Sequence, residues 1–280
     1  MAIRTLSIIG VGLLGGSIGL AAKERIKDVR VIGYGHRRLT LQRALRLKAI
    51  DEAADDLSKA VSGADLVILC TPVGLFRKIL TEIRPALAEK CIVTDVGSTK
   101  GLVVKWGERI VGRRFVGSHP MAGSEKRGVE FARSDLFDKA LCLMTPTART
   151  DPSALRQVEQ FWKTLGMKIS RLSPNEHDRL LAEVSHLPHI AAAALIGIPS
   201  QRAIPLCGKG FLDSTRIAAG DGGLWRDIFL DNRKNMISAI DKLRLELETV
   251  ANLIEQGDGA KLQRWLDQRA RKRRTLNSER

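Results

Sequence analysis

Apolar positions along the chain fall into short runs separated by longer amphipathic stretches. Ile3 to Ile9 is apolar and rich in β-branched residues. Val29 to Gly33, Ala64 to Cys70, Cys91 to Val96 and Arg114 to Gly117 share that character. Runs this short, bounded by Gly, Pro, Ser or Thr, read as buried strands. Between them, apolar spacing of three and four predicts helices from Ser17, over Leu39–Leu47, over Gly74–Ile83 and from Lys100 through Val111. Two further strands, Ala140–Thr145 and Lys168–Leu172, bracket an amphipathic helix over Asp151–Leu165. Strands alternating with helices at this spacing predict an α/β fold with a Rossmann-type, doubly wound parallel sheet.

The pattern changes after residue 172. Ser173-Pro174-Asn175-Glu176 opens a helix, with Ser173 as cap, Pro174 at the first position and Glu176 completing a capping box. Pro188, in Ser185-His186-Leu187-Pro188-His189, predicts a kink. A long periodic segment runs from Trp225 to about Glu255, and no strand pattern follows residue 172. The chain therefore reads as a Rossmann domain over 1–172, an all-helical domain over 173–268 that binds substrate and dimerises, and a basic, disordered tail over 269–280. The helical part has more apolar face than one chain can cover, which predicts a homodimer.

Composition narrows the class. The 280 residues carry a formal net charge of +15, much of it at Arg269, Arg271, Lys272, Arg273 and Arg274. This cluster reads as a solvated terminus. No aromatic–basic interleaving or known reader motif accompanies it, so nucleic acid is not expected as a partner. Cys70, Cys91, Cys142 and Cys207 lie far apart with no C-x-x-C, which fits a reducing, cytoplasmic setting and argues against zinc or a disulfide framework. Five glycines between positions 10 and 19 make a poor signal helix, and no segment is long and apolar enough to span a membrane.

The glycines carry the first chemical signal. Gly10-Val11-Gly12-Leu13-Leu14-Gly15 lies between a strand and a helix, the setting of a dinucleotide-binding fingerprint. Gly10 permits the tight turn, Gly12 lets backbone approach a pyrophosphate, and Gly15 lets the helix pack on the strand. Leu13 and Leu14 lie in this turn, and Ser17-Ile18-Gly19-Leu20-Ala21-Ala22 reads as the start of the helix whose free N–H groups would receive the phosphates. NAD sites usually carry an acid after the second strand, to bind the ribose 2′-OH. Here Gly35 is followed by His36, Arg37 and Arg38. Those cations suit a 2′-phosphate, so NADP is expected over NAD.

Ligands of such sheets bind beyond the carboxyl ends of the strands. Thr71-Pro72, Ser98 and His119 follow three strands and should face one crevice. His119 suits acid–base chemistry near neutral pH, and Ser98 could hydrogen-bond it or the substrate. His186 and His189 share a helix face; a third ligand is not evident, so no metal is expected. Arg216, placed where a loop becomes a helix, suits bidentate binding of a carboxylate.

These segments together resemble the prephenate/arogenate dehydrogenases of tyrosine biosynthesis. The likeness rests on Gly10–Gly16, Asp95-Val96-Gly97-Ser98-Thr99-Lys100, Gly117-Ser118-His119-Pro120-Met121-Ala122-Gly123, Ser185–His189, Asp213-Ser214-Thr215-Arg216 and Trp225-Arg226-Asp227. It runs from residue 3 to about 257. It implies oxidative decarboxylation of a cyclohexadienol, with hydride leaving the ring for a nicotinamide cofactor. By resemblance, His119 accepts the hydroxyl proton, Ser98 orients it and Arg216 clamps a carboxylate. His189 and His186 line the substrate pocket, Glu125 sits at its mouth and Trp225 packs behind it. A His at position 189 goes with prephenate in this family, so prephenate is expected and arogenate is the alternative. A different NADP-linked reductase, or a non-catalytic NADP(H) sensor, would share the layout.

Overall fold

The structure, a computed structural model, describes residues 3–123 and 126–278. Strands β1 (Thr5–Ile9), β2 (Arg30–Tyr34), β3 (Glu52–Ala53), β4 (Leu66–Leu69), β5 (Ile92–Asp95) and β6 (Phe115–Val116) form one sheet in the order β3-β2-β1-β4-β5-β6. All its pairings are parallel. Ile9 lies opposite Tyr34 and Leu69, and Leu69 opposite Asp95, so four strands end level along one edge. Chain order reverses between β1 and β4, which opens the crevice of a doubly wound sheet at that edge.

Successive side chains of a strand point to opposite faces, and this divides the core. Leu6, Ile8 and Ile68 join Ile18, Phe161 and Trp162 on one face. Ile9, Val67 and Leu69 join Phe76, Leu80 and Val103 on the other. The covering helices are α1 (Leu13–Arg25), α2 (Arg38–Arg46), α3 (Leu57–Val61), α4 (Phe76–Ile83), α5 (Gly101–Ile110) and α6 (Pro152–Thr164). The two-residue strand β3 is too short to give an alternation signal.

Two expected strands do not extend the parallel sheet. β7 (Ser118–Pro120) pairs antiparallel with β8 (Leu141–Met144), which pairs parallel with β9 (Lys168–Arg171) in a separate sheet. The break falls at Gly117, where a Cβ would lie 2.5 Å from Thr145 Oγ1. A hydrogen bond then ties β7 back to β5, the Ser118 hydroxyl donating to the Asp95 carbonyl, and the buried indole N–H of Trp162, on the Pro152–Thr164 helix, donates to Ser118 Oγ at 3.1 Å.

Ser173 caps α7 (Pro174–Leu181) as expected, its Oγ accepting from the Glu176 N–H at 3.2 Å, while the Glu176 side chain makes no return bond among the described residues. In place of a simple kink, a π-helical turn over Ala182–His186 leads into α8 (Leu187–Ile196), in which Pro188 occupies the first turn. α9 (Lys209–Thr215) and α10 (Gly222–Asp231) follow. The long segment expected from Trp225 is divided near Asn232, and α11 (Arg233–Glu255) follows the division.

Packing divides the chain into Met1–Asn232 and Arg233–Arg280, so α7 to α10 belong to the same compact unit as the two sheets. The second unit consists of α11 and α12 (Gly259–Ser278). The disordered tail expected over 269–280 is corrected through residue 278, which is helical. Within that unit Arg269 lies 4.2 Å from the Trp265 ring centroid and pairs with Glu246 of α11 at 2.6 Å, which gives the basic run a surface to order on.

Close packing of α1 on β1 makes a specific demand. A Cβ on Gly15 would lie 2.2 Å from the Gly10 carbonyl oxygen and 2.9 Å from Ile8 Cγ2. Gly15→Ala is expected to destabilise by about 2 kcal/mol or more, as overpacking against backbone does, measured as a lowered urea midpoint with unchanged slope.

Candidate active site

The glycine turn has the geometry its sequence requires. Gly10 takes φ +103°, its N–H donates to the Tyr34 carbonyl at 2.8 Å, and a Cβ there would lie 2.8 Å from the Cys70 backbone and 2.9 Å from Thr71 Cγ2. Gly12 caps α1 without a side-chain hydrogen bond, and a Cβ at Gly12 would meet nothing within 4 Å. No acid stands in the first turn, which begins at Leu13 and Leu14. The combination leaves donor N–H groups beside open space at a positive helix end, which fits a pyrophosphate. Thr71 and Pro72 follow β4 beside this turn. At the end of β2, His36, Arg37 and Arg38 are exposed and have no partner among the described residues.

His119 stands on β7, within the second sheet and not in a loop after a parallel strand. It is 8% exposed. Its Nδ1 lies 2.9 Å from His177 Nε2, and His177 Nδ1 lies 2.9 Å from Asp178 Oδ1. The Asp178 carboxylate also accepts the Lys100 N–H at 2.7 Å and the Gly101 N–H at 2.8 Å, so it caps α5 from α7. Lys100 is fully buried against Asp95, whose carboxylate also accepts the Gly97 N–H at 2.8 Å. The Ser98 side chain makes no hydrogen bond among the described residues, and the group against His119 Nδ1 is His177.

Asn232 Nδ2 donates to the Asp178 carbonyl at 2.7 Å and lies 3.2 Å from His186 Nδ1. His186 is fully buried beside the Ser98 backbone, with no hydrogen bond to its Nε2. His189, on α8, stacks on Trp225 of α10 with centroids 3.6 Å apart and planes inclined by 16°. Gly220 permits this stack: a Cβ there would meet Trp225 Nε1 at 2.5 Å and His189 Cε1 at 2.9 Å. The His189 Nδ1 is buried without a partner. Arg216 is exposed and follows α9 at the start of a 3-10 turn, where a helix start was expected; that turn packs against α8. Glu125 lies outside the described residues.

Burial sets the electrostatics. Desolvation holds His119 well below the ordinary histidine range, and the nearby His177, Lys100 and His186 further disfavour its protonated form. Burial also lowers His177, against the opposing pull of Asp178. It brings His186 down to about 4. All three are neutral at neutral pH. Asp178 is held below the usual carboxylate range, because its three N–H donors outweigh its burial. The site therefore presents a neutral imidazole base on a chain that ends in a fixed carboxylate. His177, Asp178 and Asn232 carry no spacing motif of their own. The only local signal is that Glu176 of the capping box immediately precedes the His-Asp pair.

A model of the prephenate dehydrogenase nucleotide-binding domain matches residues 18–171, and one of the prephenate dehydrogenase dimerization domain matches residues 173–268. The prephenate dehydrogenase of Bacillus subtilis is 37% identical over 270 residues, which cover 93% of this chain and 73% of the relative. The cyclohexadienyl dehydrogenase of Zymomonas mobilis is 34% identical over 264 residues, 91% of this chain and 90% of the relative. Among solved structures, Aquifex aeolicus prephenate dehydrogenase in complex with hydroxyphenyl propionate and NAD+ superposes with a TM-score of 0.93, at 34% identity and 99% coverage of both chains. Synechocystis arogenate dehydrogenase superposes with a TM-score of 0.84, at 30% identity, covering 97% of this chain and 99% of its own.

The buried histidines make stability depend on pH. Burial lowers His186 to about 4, below the ordinary histidine value of about 6.5, so the unfolded chain takes up its proton first as pH falls. Its contribution is full above pH 6.5 and is lost toward pH 4. Between pH 7 and 4.5, His186→Gln is expected to lose roughly 2–3 kcal/mol less stability than the parent in urea titrations. Equal losses would show that His186 does not shape the acid limb.

Proposed function

The chain belongs to the prephenate dehydrogenase family of nicotinamide-dependent oxidoreductases, and from that premise we propose that it converts prephenate to 4-hydroxyphenylpyruvate by oxidative decarboxylation in tyrosine biosynthesis. The observation that carries the reading is the neutral imidazole of His119, buried and held through Nδ1. A bound nicotinamide supplies the hydride acceptor, and loss of CO₂ makes the ring aromatic. The protein's task is then to hold the substrate, take one hydroxyl proton and exclude water.

His119 takes the C4 hydroxyl proton, and Ser98, after β5, contacts the cofactor and substrate beside it. Arg216 binds a substrate carboxylate through its planar guanidinium. His189, flat on Trp225, lines the pocket beside the ring, with His186 behind it and Glu125 at the mouth. Gly10, Gly12, Leu13, Leu14, Gly15, Thr71 and Pro72 receive the dinucleotide. Prephenate carries a keto acid where arogenate carries an ammonium, and an uncharged His189 offers no anion to an ammonium. Arogenate is the second reading, favoured by the Synechocystis structure. Residues 1–172 serve the cofactor and 173–268 the substrate and a partner copy. Apolar residues left exposed, such as Ile198, Leu206, Leu212 and Leu230, support a homodimer. Four free cysteines accord with a cytoplasmic enzyme.

We further propose NADP as the preferred cofactor, on the exposed His36, Arg37 and Arg38, whose side chains have no partner among the described residues, and the acid missing at Gly35. NAD is the second reading, because the Aquifex aeolicus structure holds NAD+.

Two measurements test these assignments. With prephenate or arogenate and either cofactor, followed at 340 nm, His119→Asn is expected to lower kcat by about 10²–10⁴-fold with cofactor affinity little changed. A sensor or a different reductase would be indifferent to that change. A Cβ at Gly35 would make only ordinary contact with Leu41 at 3.7 Å, so an acid fits there. Gly35→Asp is expected to move the NADP-to-NAD ratio of kcat/KM toward NAD by about tenfold or more, through repulsion of the 2′-phosphate. An unchanged ratio would remove the NADP assignment.

A further inference from the structure

We propose that His177 and Asp178 are positioning residues that hold His119 as its Nδ1–H tautomer, leaving the Nε2 lone pair to receive the substrate proton. The inference rests on the reading of His119 as the base. It follows from counting donors along the chain of contacts.

Among the described residues, the Asp178 carboxylate is met by two backbone N–H donors and one imidazole nitrogen. Lys100 N donates to Oδ1 at 2.7 Å, Gly101 N donates to Oδ2 at 2.8 Å, and His177 Nδ1 lies 2.9 Å from Oδ1. The two backbone donors hold its carboxyl below the usual carboxylate range, so the group is an anion; an anion only accepts, so His177 Nδ1 carries the hydrogen. A neutral imidazole has one N–H. His177 is buried and neutral, so its Nε2 is a lone pair, and it faces His119 Nδ1 at 2.9 Å. Two bare nitrogens at that distance would repel without a hydrogen bond. His119 Nδ1 must therefore be the donor, and His119 Nε2 is bare.

The arrangement also serves the step that follows. As the substrate O–H bond breaks, an N–H bond forms at His119 Nε2 and the ring becomes an imidazolium. The new charge is felt through Nδ1–H···Nε2 to His177, and through its Nδ1–H to the Asp178 anion, without moving a second proton. The charged groups around His119 otherwise oppose that charge. Lys100, buried on the β5 side and paired with Asp95, is the cation that does so, and His186 on the helical side is neutral. Asp178 is the anion directly linked to the imidazole chain. Asn232 holds its backbone at 2.7 Å, which fixes the chain's far end.

The test reads the tautomer directly. The full-length chain, labelled with ¹⁵N-histidine, gives two-bond ¹H–¹⁵N correlations that separate bare from protonated ring nitrogens. His119 is assigned by its loss in His119→Asn. The wild type is expected to show a bare Nε2 and a protonated Nδ1. Asp178→Asn can donate to His177 and reverse the chain, so it is expected to protonate His119 Nε2 and lower kcat about 10²–10⁴-fold, with KM changed much less. Asp178 also caps α5, so His177→Leu and His177→Gln carry the test if that variant does not fold. His177→Leu should lose the tautomer preference and shift the pH–rate profile, and His177→Gln, whose amide oxygen can still accept from Nδ1–H, should recover part of both. A protonated Nε2 in the wild type, or unaltered kcat and pH profile in His177→Leu, overturns the proposal. A chain that oxidises neither prephenate nor arogenate yet shows the bare Nε2 would sink the functional reading and leave the tautomer assignment standing.

Discussion

One buried carboxylate joins the parts of this molecule that matter for chemistry. Asp178, on α7, accepts the backbone N–H groups of Lys100 and Gly101 and so caps α5 of the nucleotide-binding half. A helix end buried without such a partner leaves unsatisfied donors, at about 1–3 kcal/mol each. The same carboxylate receives His177, and through it His119. The helical segment is therefore held on the sheet by the group that ends the imidazole chain. This explains why packing places α7 to α10 in one unit with both sheets, although the character of the sequence changes at residue 172.

A second buried charge pair serves the other side of the site. Lys100 and Asp95 are both fully buried and paired. Pairs of this kind cost desolvation and are kept where hydrogen bonds satisfy the remaining atoms. Asp95 takes the Gly97 N–H at 2.8 Å and the Ser118 N–H at 3.2 Å, which pins the loop after β5 and the start of β7 to each other. Ser98 and His119 sit on those two segments. Breaking either partner would leave an uncompensated charge in the core, at about 3–5 kcal/mol, so the loop geometry is bound to the stability of the domain. The pair also keeps a cation near His119, which favours the neutral imidazole needed by a base.

His189 is organised differently. It lies flat on Trp225, and Gly220 must lack a side chain for the stack to form. Stacking fixes the ring plane with no ionic partner, and burial alone lowers the imidazole. One helical histidine is thus a flat, uncharged wall, and His177 is a link in a hydrogen-bonded chain. Their difference comes from neighbours distant in sequence.

The sequence by itself determined the parallel strands, the glycine turn, the cap at Ser173 and the candidacy of His119, because each is a local matter of periodicity, backbone freedom or side-chain chemistry. Gly10 needs a positive φ, and Gly15 needs close approach, whatever surrounds them. Only the tertiary structure decided that β7 to β9 form their own sheet, that residues 269–278 continue a helix, and that His177 lies against His119. Those outcomes depend on pairings across tens of residues, such as Lys100 with Asp178, Ser118 with Trp162, and His119 with His177. A hydrogen bond between distant positions leaves no period in the chain, so it becomes visible only when folding brings its donor and acceptor together.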